Sequence, residues 1–224
     1  MIKEVFLIML FLLTVAFSSE AKERYIIDSK QSQLFCSVSR MALSTVKAQF
    51  KDLTGEIVFN PKTWTDKEGR ILTKSSVNIQ IKTASVSTGS SFVDRKIQSK
   101  QLLDTQNYPE ITFQSKMIEV KKGQLYVHGV LSLRGIQKEI VFPFHLDEPF
   151  INEKKQKVIR AKGRWLINRK DFNVIWSKAF DKGGVIVGNM VAIDWEVTAI
   201  RKEEKKPAGK IPSKTTTSSK KKKH

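Results

Sequence analysis

Few residues in this chain could do covalent or metal chemistry. A thiolate nucleophile would have to be Cys36, the single cysteine, and would need a base beside it. Cys36 instead shares one face of an alternating stretch with Leu34 and Val38, which is the setting of a small buried hydrophobe. Three histidines, His128, His145 and His224, supply the only imidazoles. His128 alternates away from Leu125 and Val127, and His145 away from Phe142 and Phe144. Both are outward strand positions, whereas a metal site needs convergent ligands. The sequence contains no G-x-S-x-G, H-E-x-x-H, Walker loop or glycine-rich dinucleotide signature. No catalytic set, metal site or cofactor is expected, and the chemistry that remains is binding through apolar surface.

The apolar residues sit in segments that must position them. From Tyr25 onward the chain alternates with a period of two between turn residues, the pattern of an all-β protein. Leu34, Cys36 and Val38 share a face of a first strand. A long second strand is expected from Leu43 to Phe59, with Gly55 as a bulge or bend. Val77, Ile79 and Ile81 follow, then Leu125, Val127, Leu131 and Leu133, then Ile140, Phe142, Phe144 and Leu146. The last segments run from Val158 to Ile167 and through Val191, Ile193, Trp195 and Val197. About eight strands with one apolar face make a closed antiparallel barrel or a sandwich. Thirteen Phe and four Trp suit a core, yet an eight-stranded barrel can also hold one ligand unless large side chains fill it. The segment Phe172 to Phe180 lacks strand alternation and admits two readings, a loop capping the barrel and a lid or wall of a lipid pocket.

One stretch, Thr88 to Phe113, breaks the strand pattern. Ser91 with Asp94 three residues on reads as a capping-box pair at a helix start. Val93 and Ile97 lie a turn apart on one face, and Lys96 and Lys100 sit toward the C-terminal end, where cations suit the helix dipole. Asn107 is a turn former, Pro109 forces Tyr108 into an extended conformation, and Ile111-Thr112-Phe113 resumes a strand. A short helix over about 91–103 is expected.

The order of residues here resembles the signature of the YceI-like family, lipocalin-like periplasmic proteins associated with long isoprenoid lipids. Asp94, Ile97, Ser99, Leu102, Leu103, Asp104, Tyr108, Pro109, Ile111 and Phe113 fall at that signature's places. Further blocks match in order, from about Tyr25 to Val197. They are Tyr25 to Asp28 with Ser32, Ser44 to Val46 with Phe50, Leu131 to Gly135, and Asn168 to Phe172. There are departures: Val93 and Lys96 stand where the family usually has Arg and His, Cys36 where it has Phe, and Arg40 where it has a second His. The resemblance implies an eight-stranded antiparallel lipocalin-like barrel with a helical or irregular capping segment at about 170–182. It also implies a non-catalytic binding protein for an isoprenoid or fatty-acyl lipid. The cavity-lining residues it points to are Leu34, Cys36, Val38, Arg40, Phe50, Leu102, Leu103, Phe113, Trp165, Phe172, Trp176 and Trp195. Cys36 in place of Phe is expected to widen the pocket, and Arg40 to lie at its mouth or meet a carboxylate; at the mouth it would face a polar or anionic headgroup, with the chain against residues such as Phe113 and Trp195. An enzyme acting on a lipid-like substrate, or an envelope stress protein with a protein partner, are the other readings.

The termini differ in composition from this central block. Met1 to Ala21 has Lys3 ahead of an apolar run from Val5 to Phe17, then Ser18, Ser19 and Ala21, the pattern of a secretory signal. Glu4 weakens its charged region, which leaves an uncleaved anchor as the alternative. Arg201 to His224 holds ten Lys and Arg against two Glu, within a net charge of +18 for the whole chain of 224 residues. Such a tail cannot bury apolar surface and is expected to be disordered. Outside the cytoplasm it suits an anionic membrane surface or cell-envelope polymer rather than nucleic acid, and a merely solubilising tail is the alternative. The organisation expected is therefore a signal over 1–21, a lipid-binding barrel over 22–200 and a Lys-rich tail over 201–224, in an exported or periplasmic protein, with a homodimer left open.

Overall fold

The structure is a computed structural model and describes residues 22–40, 44–60, 62–67, 70–175 and 187–203, without the side chains of Arg40 and Trp64. Alternation dominates as the sequence requires. Fourteen strands are formed among the described residues: β1 (Glu23–Ile27), β2 (Gln33–Arg40), β3 (Ser44–Phe50), β4 (Leu53–Phe59), β5 (Thr63–Thr65), β6 (Ile71–Thr73), β7 (Ser76–Lys82), β8 (Val86–Ser87), β9 (Glu110–Lys121), β10 (Gln124–Leu133), β11 (Ile136–Leu146), β12 (Phe150–Ile151), β13 (Lys157–Asn168) and β14 (Val187–Arg201). One α-helix, α1 (Ser91–Gln98), interrupts them.

The antiparallel ladder runs β13–β11–β10–β9–β7–β4–β1–β14. β14 then pairs back onto β13 from Val158↔Ile200 to Asn168↔Met190, which closes an eight-stranded barrel. Closure removes the unpaired edges that an open sheet would expose. β14 is long enough to take two partners in succession along its other side. β1 reaches it at Ile27↔Ala199, and β2 takes over from Gln33↔Glu196. Ser32 makes the changeover: its hydroxyl donates to the Asp28 carbonyl at 2.8 Å and accepts from the Thr198 N–H at 3.1 Å. β2 carries β3 and β3 carries β8, extending one wall beyond the closed barrel.

Three expectations are corrected in detail. The strand expected from Leu43 to Phe59 is two strands, because the chain turns at Lys51–Asp52, where Lys51 N–H donates to the Ser85 carbonyl and Lys82 N–H to the Asp52 carbonyl. Gly55 is no bulge. It pairs in register with Ile79, and a Cβ there would stand 2.2 Å from the Asn78 carbonyl oxygen, so a close backbone approach requires it. The helix ends at Gln98 rather than near 103. Leu103 N–H donates to the Ile97 carbonyl and Thr105 N–H to the Gln98 carbonyl, which satisfies last-turn groups and folds Leu102 and Leu103 back toward the barrel.

The helix start also differs. The capping-box pair does not form; the N-cap is Ser90, with no side-chain cap bond. Asp94 instead accepts from the Thr88 N–H at 2.6 Å and the Thr88 hydroxyl at 2.7 Å, tying α1 to the chain that leaves β8. Those bonds lower its carboxyl pKa. The segment expected as a cap over 170–182 begins as a 3-10 turn, Arg169–Phe172, followed by Asn173 in the left-handed region at φ 55°; positions 176–182 lie outside the described residues. No helix among the described residues is long and apolar enough to cross a membrane.

Candidate functional site

The barrel interior is built by the inward positions of each strand. Leu34, Cys36 and Val38 of β2 face Val191 and Ile193 of β14, and Trp165 of β13 stands beside them. Deeper in, Phe142 stacks on Trp165 with ring centres 4.4 Å apart and 10° between planes, and meets Trp195 edge-on at 6.1 Å. Phe113 packs on the same ring at 5.5 Å. β9 gains one residue relative to β10 at His128/Gly129, so its inward set shifts from Ile111 and Phe113 to Ile118. Gly129 lies against the Phe113 ring, which a Cβ would approach to 2.5 Å.

This aromatic layer divides the interior into two hollows. The larger, about 380 Å³, lies toward α1 and the Arg169 turn. The smaller, about 110 Å³, lies on the other side; Leu34, Ile81, Leu131 and Trp165 line both. Leu34, Cys36, Val38, Phe50, Leu102, Leu103 and Trp165 line the larger hollow, and Phe113 and Trp195 the smaller. Phe172 is 2% exposed and belongs to the core rather than to the lining of either. β2 ends at Arg40, whose side chain, like all of Trp176, lies outside the described residues. The residues that the sequence reading passed over are mostly strand neighbours of those it picked, such as Ala48, Ile111, Leu131 and Leu133. Strict period-two counting along each strand finds them. Val93 and Ile97, recognised as one helical face, also line the larger hollow.

Charge is scarce on this wall. Among the described residues, Lys96 and Arg169 are the charged ones lining the larger hollow, and no carboxylate lines it. Lys96 Nζ donates to Gln101 Oε1 at 2.6 Å. Arg169, 7% exposed, donates from Nε to the Gly188 carbonyl at 2.9 Å, from Nη1 to the Val174 carbonyl at 2.6 Å, and from Nη2 to the Val187 carbonyl at 3.2 Å and Asn189 Oδ1 at 3.3 Å. Burial lowers its pKa. The arginine thus clamps the two chain segments on either side of the cavity end, 174 and 187–189. Arg134 does similar work outside. It donates from Nη1 to the Asn173 carbonyl and from Nη2 to the Lys100 carbonyl at 2.8 Å, tying the chain after α1 to the chain after Phe172.

The groups that could do covalent chemistry are elsewhere or silenced. Burial pushes the Cys36 thiol up to about 12, helped by the Asp194 carboxylate, so the thiolate does not form near neutrality. His128 Nε2 lies 2.9 Å from Glu119 Oε2, and His145 Nε2 lies 3.2 Å from Asp147 Oδ1; neither histidine lines either hollow. Among the described residues no group of three or more His, Cys, Asp or Glu could hold a metal ion. The arrangement can enclose an apolar chain.

The family model for the YceI-like domain matches residues 25–199, most of the chain. The chain belongs to the YceI-like family. Its relatives include a UPF0312 protein of Vibrio parahaemolyticus, 31% identical over 119 residues, which cover 52% of this chain and 59% of that one. Protein YceI of Escherichia coli is 28% identical over 156 residues, 67% of this chain and 75% of that protein. The chain therefore spans about three-fifths of the Vibrio relative's length. Among solved structures, Burkholderia cenocepacia BcnA superposes with a TM-score of 0.61 at 20% identity, over 77% of this chain and 98% of that one. A polyisoprenoid-binding domain from Saccharophagus degradans, implicated in plant cell wall breakdown, superposes with a TM-score of 0.56 at 15% identity, over 80% and 98%. At such identities these two likenesses speak for the fold. The YceI-like barrel of this chain is the one that its Thr88–Phe113 motif pointed to.

Proposed function

We propose that this protein is an exported, non-catalytic carrier or store that holds a long-chain amphipathic lipid, isoprenoid or fatty-acyl, in the barrel cavity. The observation that carries the reading is the hollow of about 380 Å³ whose wall, among the described residues, is aliphatic and aromatic apart from Cys36, Lys96 and Arg169. That volume lies in the range of roughly 300–1,000 Å³ common to small-molecule sites. An apolar chain entering it gains from removal of its surface from water at roughly 25 cal/mol per Å². The Saccharophagus domain's polyisoprenoid binding supports the same class of ligand. The raised Cys36 thiol and the outward histidines favour holding over turnover. Export rests on the Met1–Ala21 pattern.

Mass spectrometry of an organic extract of natively purified protein tests the cavity reading. A stoichiometric long-chain lipid is expected, and an extract without one, together with no uptake of added isoprenoid or fatty-acyl lipid, overturns it. N-terminal sequencing of protein from its own host tests export separately. Cleavage near Ser18 to Ala21 is expected, and Met1 retained in the membrane fraction overturns it.

A further inference from the structure

The mouth of the larger hollow lies at α1. The helix has no buried residue. Val93 and Ile97 line the hollow, and so does Phe92, although its side chain is 75% exposed, the most open of the large hydrophobics among the described residues. A ring that lines the cavity and meets solvent at once marks the rim. Helical spacing sets Arg95 and Lys96 on the same side as Phe92, three and four residues on, and Lys100 follows just past the helix end. Arg95 and Lys100 are exposed. The one acid of the helix, Asp94, is taken up by the Thr88 N–H and hydroxyl. The rim therefore presents an exposed aromatic ring among cations, in a chain of net charge +18.

We propose that this face of α1 docks the cavity mouth on an anionic lipid bilayer, so that lipid passes between membrane and barrel without crossing water. The proposal rests on the cavity being a lipid site. A bilayer supplies both halves of the complement: anionic headgroups at the level of Arg95 and Lys100, and an apolar layer below them for the Phe92 ring. An acidic protein would match the cations but would need its own pocket for that ring.

The experiment uses the full chain and vesicles of phosphatidylcholine with or without phosphatidylglycerol. A bimane label is placed on Phe92→Cys, and on Glu153→Cys in the turn between β12 and β13 at the opposite end of the barrel; the half-buried, hard-to-ionise Cys36 thiol leaves the new cysteine the reactive one. Vesicles containing phosphatidylglycerol are expected to blue-shift the label at 92 and not at 153. Because basic residues are drawn to an anionic surface, Arg95→Glu with Lys100→Glu should weaken partitioning at least ~10-fold. Phe92→Ser should slow lipid uptake from vesicles. Equal shifts at the two labels, or charge-reversed protein that partitions like wild type, overturn the docking face. So does a label at 92 that responds to an acidic protein and not to vesicles. The lipid content of each variant is read in the same samples: a filled cavity with no docking refutes this proposal alone, while one that is empty and takes up no added lipid refutes the cavity reading.

Discussion

Cys36 shows how one side chain can shape the cavity and its stability at once. It stands inside where the family resemblance has Phe, and it lines the larger hollow directly. Cys36→Phe should shorten the longest chain the protein accepts, read as the chain-length profile of bound lipid by mass spectrometry. Its thiol pKa also links folding to pH. The folded value is raised from 9.0 to about 12, so the native state favours the neutral thiol. That contribution is complete below about pH 9 and is lost as pH rises from there toward 12. Tyr25, fully buried, with its hydroxyl donating to Glu23 at 2.6 Å, is shifted upward in the same sense, first by burial and then by Glu23. Thermal melts of Cys36→Val across pH 8–11 should lose less stability than wild type, while Tyr25 keeps part of the alkaline slope in place. Identical slopes would contradict the account. Arg169 was legible as part of a motif but not as a clamp, because its partners are carbonyls of residues 174, 187 and 188 that sequence spacing cannot place. Arg169→Met leaves those acceptors unpaired and should cost about 2–4 kcal/mol in urea unfolding.

At the scale of elements, alternation made the strands legible, and the misreadings fall where backbone geometry overrides it. Residues 43–59 carry one unbroken β pattern, yet the chain turns at Lys51–Asp52, because hydrogen bonds to Ser85 and Lys82 hold it there. The bulge at His128/Gly129 was likewise invisible, since β9 keeps apolar residues on either side of it. Lys122-Gly123 and Arg134-Gly135 both hold positive φ at both central residues, the requirement of a tight two-residue connection. Gly129 tests how the bulged strand packs. Gly129→Ala should destabilise by about 1–3 kcal/mol through its clash with the Phe113 ring and with the Gln114 carbonyl oxygen, 2.6 Å from a Cβ there. Phe113→Leu should recover part of that loss in the double variant, which a double-mutant cycle by chemical denaturation reads directly. Additive losses would mean that the Gln114 carbonyl rather than the ring sets the cost.

Across the whole molecule, the barrel closes on itself and leaves the chain's last described residues at its rim. β14 ends at Arg201, and Lys202 N–H donates to the Arg24 carbonyl at 2.8 Å, so the barrel's own bonding extends past the point where the sequence composition changes. Arg201 Nη1 and Lys157 Nζ both reach the Glu23 carboxylate, at 3.3 and 2.8 Å. Burial raises the Glu23 pKa, but hydrogen bonds from Lys157 and Tyr25 and these two cations outweigh it and hold the group below its ordinary value. A truncation placed before Arg201 would remove that support. One placed after Glu203 removes eight lysines and one glutamate and spares every bond named here. The shortened protein should keep its melting temperature within about 2 °C, since surface changes away from packed groups are usually worth under ~0.5 kcal/mol. Its partitioning to vesicles containing phosphatidylglycerol should fall at low salt, with the difference from full-length protein vanishing as salt screens the lysines. The label at position 92 should still shift on those vesicles that it does reach, because α1 and the tail act separately. A melting temperature lowered by several degrees would show instead that residues 204–224 pack on the barrel.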